Sequence, residues 1–198
     1  MKYAEIVVTL AACLLLVAGI CKKAPPERQW QRGYFEPIGG RPFALATGLE
    51  VAHMYGADDA IPSSELPLDL LMRNITSKRI NASFPAGLVF KPAGPDHEDY
   101  QYMMILQSFV LSVPANSETT LFVPTYCCNE ELDEPDEDES YQFSIQVDER
   151  ELNELIDLVR GKRLEGDTAV TLAQDALFEI TDGNGLTDST RTKLQNLP

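Results

Sequence analysis

Tyr141-Gln142-Phe143-Ser144-Ile145-Gln146-Val147-Asp148-Glu149-Arg150-Glu151-Leu152-Asn153-Glu154-Leu155-Ile156 is where the hydrophobic rhythm of this chain changes. As far as Val147 apolar and polar residues alternate, the pattern of a strand with one buried face. Beyond it Leu152, Leu155, Ile156 and Val159 recur at helical spacing, and Gly161 supplies the stop. Asp148, with Glu151 three residues on, reads as the N-cap of that helix. Strands therefore precede helices, which predicts an α+β fold.

Upstream, apolar runs recur with turn residues between them. Leu66–Met72, Arg79–Phe84, Gly87–Phe90, Tyr102–Gln107, Phe109–Val113 and Thr119–Val123 read as strands at roughly ten-residue spacing, the cadence of an antiparallel sandwich. Pro114-Ala115-Asn116-Ser117 separates two of them as a turn. Downstream, a second helix is expected from about Asp167 or Thr168 to Ile180, with Ala169, Ala173, Ala176, Leu177 and Ile180 on one face. Asp182-Gly183-Asn184-Gly185 breaks it, and a third helix from Thr187 would present Leu194 and Leu197. Ile105, Val113, Val123, Leu155, Ile156 and Leu177 are expected in a common core. Asn74-Ile75-Thr76 with Phe84-Pro85-Ala86-Gly87 resembles the loops of immunoglobulin-like domains on exported bacterial proteins, which implies an Ig-like sandwich. Asn74 and Asn81 also head glycosylation sequons.

The N-terminus reads as an export address. Lys2 precedes an apolar run from Ile6 to Ile20, about 15 residues, short for a spanning helix and suited to a secretory signal. Val17-Ala18-Gly19 fits ordinary cleavage near Ile20, and an uncleaved N-terminal anchor is the remaining alternative. Ile20-Cys21 followed by Lys22-Lys23-Ala24-Pro25-Pro26 resembles a bacterial lipoprotein signal, with Ile20 where that pattern carries a small residue; the resemblance implies acylation of Cys21. The organisation expected is a signal over 1–20, a Pro/Gly-rich linker and loops over 21–64, a sandwich over 65–147 with an acidic loop at 130–139, and helices over 148–198. Trp30, Tyr34, Phe35 and Phe43 are too aromatic for a purely disordered tether, so part of 21–64 is expected to pack on the body.

With 31 acidic against 16 basic residues the formal charge is -15, and there is no basic stripe with interleaved aromatics. Nucleic acid and anionic bilayers would be repelled. Contact with a membrane is expected only through the N-terminal segment or a lipid on Cys21.

Cys127 and Cys128 are adjacent, and consecutive Cα atoms, about 3.8 Å apart, suit only a strained disulfide. One reading makes the pair structural, another makes it a vicinal disulfide, and a third makes it a metal ligand with His53 or His97. The acidic run that follows should raise the thiol pKa and suppress the thiolate. Tyr126-Cys127-Cys128-Asn129 and Leu172-Ala173-Gln174-Asp175-Ala176-Leu177-Phe178 resemble the two motifs of the thioester domains of bacterial surface adhesins. That resemblance implies a thioester between Cys127 and Gln174 that captures an amine on a host protein.

Eight of the ten residues from Glu130 to Glu139 are acidic, the composition of a solvated, mobile loop. Glu131, Asp133, Asp136 and Asp138 are candidate Ca²⁺ ligands by charge alone. Asp182 to Lys193 starts like a calcium loop but has Thr187 at the sixth place and Lys193 at the twelfth, so it reads as a turn. There is no Gly-x-Ser-x-Gly elbow and no phosphate-cradling glycine loop. No cofactor is called for. The expected function is that of an exported, non-catalytic surface or periplasmic module that binds or scaffolds another exported protein or a surface glycan. The alternatives are a covalent adhesin through Cys127 and Gln174, or a redox or hydrolytic enzyme.

Overall fold

Leu88-Val89-Phe90 has no polar residue to turn toward water, and in the computed structural model all three are at 0% exposure. Such a strand needs cover on both faces. The structure describes residues 35, 39–57, 61–64 and 66–198. Within them the chain runs β1 (Gly40–Pro42), β2 (Leu49–Gly56), β3 (Leu68–Asn74), β4 (Ile80–Phe84) and β5 (Leu88–Pro92). It continues through β6 (Met103–Met104), β7 (Phe109–Val113), β8 (Ser117–Val123), β9 (Tyr126–Cys127) and β10 (Tyr141–Val147) to the helices α1 (Arg150–Val159), α2 (Asp167–Thr181) and α3 (Asp188–Gln195). The fold is α+β, as expected, and the strands pair antiparallel.

The five-stranded sheet β1-β10-β5-β6-β9 is the central layer. Alternation along its strands sends Val89, Met104, Tyr126 and Cys128 into one cluster with Leu152, Leu155, Val159, Ala173 and Leu177 of the helices. Leu88, Phe90, Met103 and Cys127 go into a second cluster with Leu68, Leu70 and Met72 of the sheet β2-β3-β8 and Phe84 and Val113 of the ribbon β4-β7. Ile105, Val113, Val123, Leu155, Ile156 and Leu177 are all buried. They do not form one core, however. Ile105, Val113 and Val123 lie on the sheet side and Leu155 and Leu177 on the helix side, because the sheet between them is buried on both faces.

The boundary of the linker is corrected. Leu49–Gly56, inside the 21–64 segment, is a full strand paired with β3 from Leu49↔Asn74 to Gly56↔Leu68. A register shift between Val51 and His53 breaks its alternation, so Leu49 and Met54, at opposite parity, reach the same core. Phe35 and Phe43 do pack on the body: Phe35 is 1% exposed and edge-on to Tyr102, and Phe43 joins Phe84 and Phe143. Trp30, Tyr34, Cys21 and the signal lie outside the described residues. A second shift, between Phe143 and Gln146, sends Tyr141 and Phe143 to the sheet-side core but Ile145 and Val147 to the helix side. Only Met103–Met104 of the expected strand Tyr102–Gln107 is in a ladder.

The caps differ in detail. Glu149, not Asp148, caps α1, its carboxylate accepting from the backbone N–H groups of Glu151 and Leu152 at 2.8 and 3.0 Å. Gly166 precedes α2 at φ 80 with no side-chain cap, in place of Asp167 or Thr168. Thr187 caps α3 as expected, and Gly161 closes α1 at φ 70. Asn74 is 1% exposed, and its Nδ2, the atom a glycan would need, donates to Lys78 O and Val113 O. The folded protein therefore closes that sequon, whereas Asn81 is exposed. Among the described residues no helix is long and apolar enough to cross a membrane.

Candidate functional site

Tyr126–Cys127 forms the last strand of the central sheet, so among the described residues its outer edge has no neighbouring strand. Cys127 stands opposite Met103, and Cys128 N–H donates to Tyr102 O at 2.9 Å, which leaves the peptide groups of Cys127 aimed away from β6. A buried backbone N–H and C=O cannot be left without partners. Gln174, on the inward face of α2 and 5% exposed, supplies both: Cys127 N–H donates to its Oε1 at 2.8 Å and its Nε2 donates to Cys127 O at 2.9 Å. The side-chain amide thus stands in for the missing strand. The structure brings Cys127 and Gln174 together, and the atoms it joins are the glutamine amide and the cysteine backbone.

The rest of the segment is wired in the same way. Thr125 N–H donates to Ser64 Oγ at 3.0 Å and Ser64 Oγ donates to Thr125 O at 2.7 Å. Asn129 accepts from Tyr102 N–H at 3.1 Å and donates to Phe35 O at 3.2 Å. Cys127 and Cys128 are not bonded to each other, because strand alternation sends one side chain into each core. Burial pushes the Cys128 thiol well above its ordinary range, with the Cys127 and Asp182 charges adding to the shift. The direction is the one expected from the acidic run. The cause is different: desolvation leads, and the carboxylate that contributes is Asp182.

The acidic loop is only partly solvated. Glu131, Asp133, Asp136 and Asp138 are exposed, whereas Glu139 is 5% exposed and its Oε1 accepts from Gly94 N–H at 3.0 Å. A Cβ on Gly94 would lie 2.5 Å from the Glu139 carboxylate, so a larger residue there would have to displace that side chain. Asp136 accepts from the Tyr100 hydroxyl at 3.1 Å and from the N–H groups of Asp138 and Glu139 at 3.0 and 2.9 Å. That hydrogen bond raises the Tyr100 pKa. The four candidate Ca²⁺ ligands do not converge: among the described residues no group of three or more His, Cys, Asp or Glu is arranged to hold a metal ion. His53 and His97 sit apart from the cysteines, His53 on Asp69 at 3.3 Å and His97 on Gly94 O at 3.1 Å.

One feature was not legible in the sequence. Two cavities, of about 450 and 320 Å³, share Gln107 and Ser108 as a common wall. The larger is lined by Ile156, Arg160 and Lys162, the smaller by Phe109, Leu121, Tyr126 and Leu164. Strands joined by a turn as short as Pro114–Ser117 usually pair, and nothing local signals that β7 and β8 part instead. Comparison with protein-family models, with characterised proteins and with solved structures finds no match.

Proposed function

We propose that this chain is an exported, non-catalytic module that binds or scaffolds another surface or periplasmic component, built on an immunoglobulin-like sandwich backed by helices. The observation that carries the reading is the use made of Gln174. Its amide is consumed by the Cys127 backbone at 2.8 and 2.9 Å, inside a buried segment held from four directions, by Ser64, Phe35, Tyr102 and Gln174. Catalytic cysteines usually sit in electropositive, partly exposed surroundings with a depressed pKa. Cys128 is fully buried and shifted the opposite way. The apolar run Ile6–Ile20 supports export, and the antiparallel strands sharing one core support the sandwich.

A thiol reagent titrated across pH tests the claim. Modification of Cys128 in the folded protein should be slow at neutral pH and should accelerate only with unfolding. Rapid modification with an apparent pKa well below about 8.5 overturns the reading in favour of a redox enzyme. Fractionation of the native cell tests export, which fails if the full-length chain is found in the soluble cytoplasm.

The covalent adhesin is the second reading, favoured by the approach of Gln174 to Cys127. Attack of the Cys127 sulfur on the Gln174 carbonyl carbon would form an S–C bond and release ammonia, a loss of about 17 Da. It would also cost the hydrogen bond that Gln174 Nε2 donates to Cys127 O.

A further inference from the structure

Consecutive strands joined by a short turn normally pair. β7 and β8 do not. Among the described residues β7 is hydrogen-bonded only to β4 and β8 only to β3, so within them each keeps one edge without a ladder partner. They stay together at the turn, where Asn116 is held at φ 49, Asn116 N–H donates to Thr76 O at 2.9 Å, and Asn74 Nδ2 reaches Val113 O at 3.1 Å. At the other end the smaller cavity opens, with Phe109 at the start of β7 and Leu121 and Pro124 at the end of β8 on its walls. The larger cavity continues past Gln107 and Ser108 to Arg160 and Lys162 at the C-terminal end of α1.

Charge distinguishes this cleft from the rest of the molecule. The chain carries a formal charge of -15, yet among the described residues lining the two cavities none is acidic and two are cationic. Lys162 is engaged, its Nζ donating to Gln195 O and Leu197 O at 2.7 Å. Arg160 is 73% exposed and paired at 2.6 Å with Asp157, itself 66% exposed, and an ion pair this exposed is weak enough for the guanidinium to exchange it for a ligand carboxylate. Open strand edges, an apolar floor and an accessible cation at one end match one kind of occupant.

We propose that the cleft between β7 and β8 takes an extended peptide segment from a partner protein by strand addition, with an apolar side chain over Leu121 and Leu164 and a carboxylate on Arg160. Main-chain hydrogen bonds to a strand edge supply affinity and the alternating pockets supply specificity. The inference rests on the binding-module reading and names the chemistry of its partner.

The probe is the blocked peptide acetyl-Val-Thr-Val-Thr-Leu-Asp-amide, labelled for fluorescence anisotropy and titrated onto the intact mature protein. The expected result is saturable binding, weakened by about tenfold on replacing the peptide's aspartate by asparagine and abolished by proline at its central valine. Arg160→Gln, which removes the charge at an exposed position, should weaken it about as much with the thermal midpoint followed as the folding control, and Leu121→Gln should do so independently. Amides of β7 and β8 should gain protection from hydrogen exchange in the complex. Absence of binding, equal binding of the proline peptide, or displacement by dodecanoate with no strand protection overturns the proposal. Those outcomes leave the thiol titration untouched, so failure of this partner is distinguishable from failure of the non-catalytic reading.

Discussion

Gln174 does the work of a strand with one side chain, and that gives it a measurable cost. Gln174→Ala removes both hydrogen bonds that Gln174 makes to the buried Cys127 N–H and C=O and should destabilise by about 2 to 4 kcal/mol in denaturant unfolding. Gln174→Glu should cost more at neutral pH than at acid pH, because a carboxylate can accept from Cys127 N–H but sets its second oxygen against Cys127 O. Cys128→Ser should cost about 1 to 3 kcal/mol by placing a hydroxyl in the helix-side core. The resemblance to the thioester motifs pairs Cys127 with Gln174, and the two do lie side by side. Which atoms meet was not legible in the sequence, because it depends on Cys127 pairing with Met103 across β6, a non-local fact.

Among the elements, α1 is the most legible, since its apolar face and its glycine stop are local signals. The cap falls one residue beyond Asp148 because Asp148 and Glu149 are both capable acceptors and Glu149 (φ -128, ψ 142) is the last extended residue before the helix begins at Arg150. Glu149→Ala should therefore cost about 1 kcal/mol, and Asp148→Ala less. The link from α1 to α3 carries a pH signature. Arg191 Nε donates to Glu154 Oε1 at 2.6 Å, and the guanidinium lowers the carboxyl pKa below its ordinary 4.5. A carboxyl whose pKa is lower folded than unfolded adds stability above the unfolded value and loses it as pH falls through the folded one. The side chains of Glu154 and Arg191 are 39% and 33% exposed, so the loss below pH 4.5 should be only about 0.5 kcal/mol, and Glu154→Gln should remove it. β2 was missed for a different reason. A bulge shifts its apolar parity halfway, so Leu49-Glu50-Val51-Ala52-His53-Met54-Tyr55-Gly56 never completes the alternation that identifies a strand.

At the scale of the whole molecule, the buried central sheet couples two cores that the sequence presents as one. Because both cores hang on β5, β6 and β9, Leu155→Ala on the helix side and Phe84→Ala on the opposite side should each lower a single cooperative transition by about 2 to 5 kcal/mol. Separate transitions by near- and far-ultraviolet circular dichroism would contradict that coupling. Neither the two-sided burial of Leu88-Val89-Phe90 nor the parting of β7 from β8 was legible in the sequence, since each is decided by what packs on or pairs with the strand from elsewhere in the chain. The account stands on the Cys127–Gln174 contact being a hydrogen-bonded support and not a bond. Intact mass of the mature protein, denatured without reductant or amine, decides this directly. The expected result is no ammonia deficit and recovery of Gln174 as unmodified glutamine in its tryptic peptide. A deficit of about 17 Da, reversed by methylamine with the label on Gln174, would contradict it.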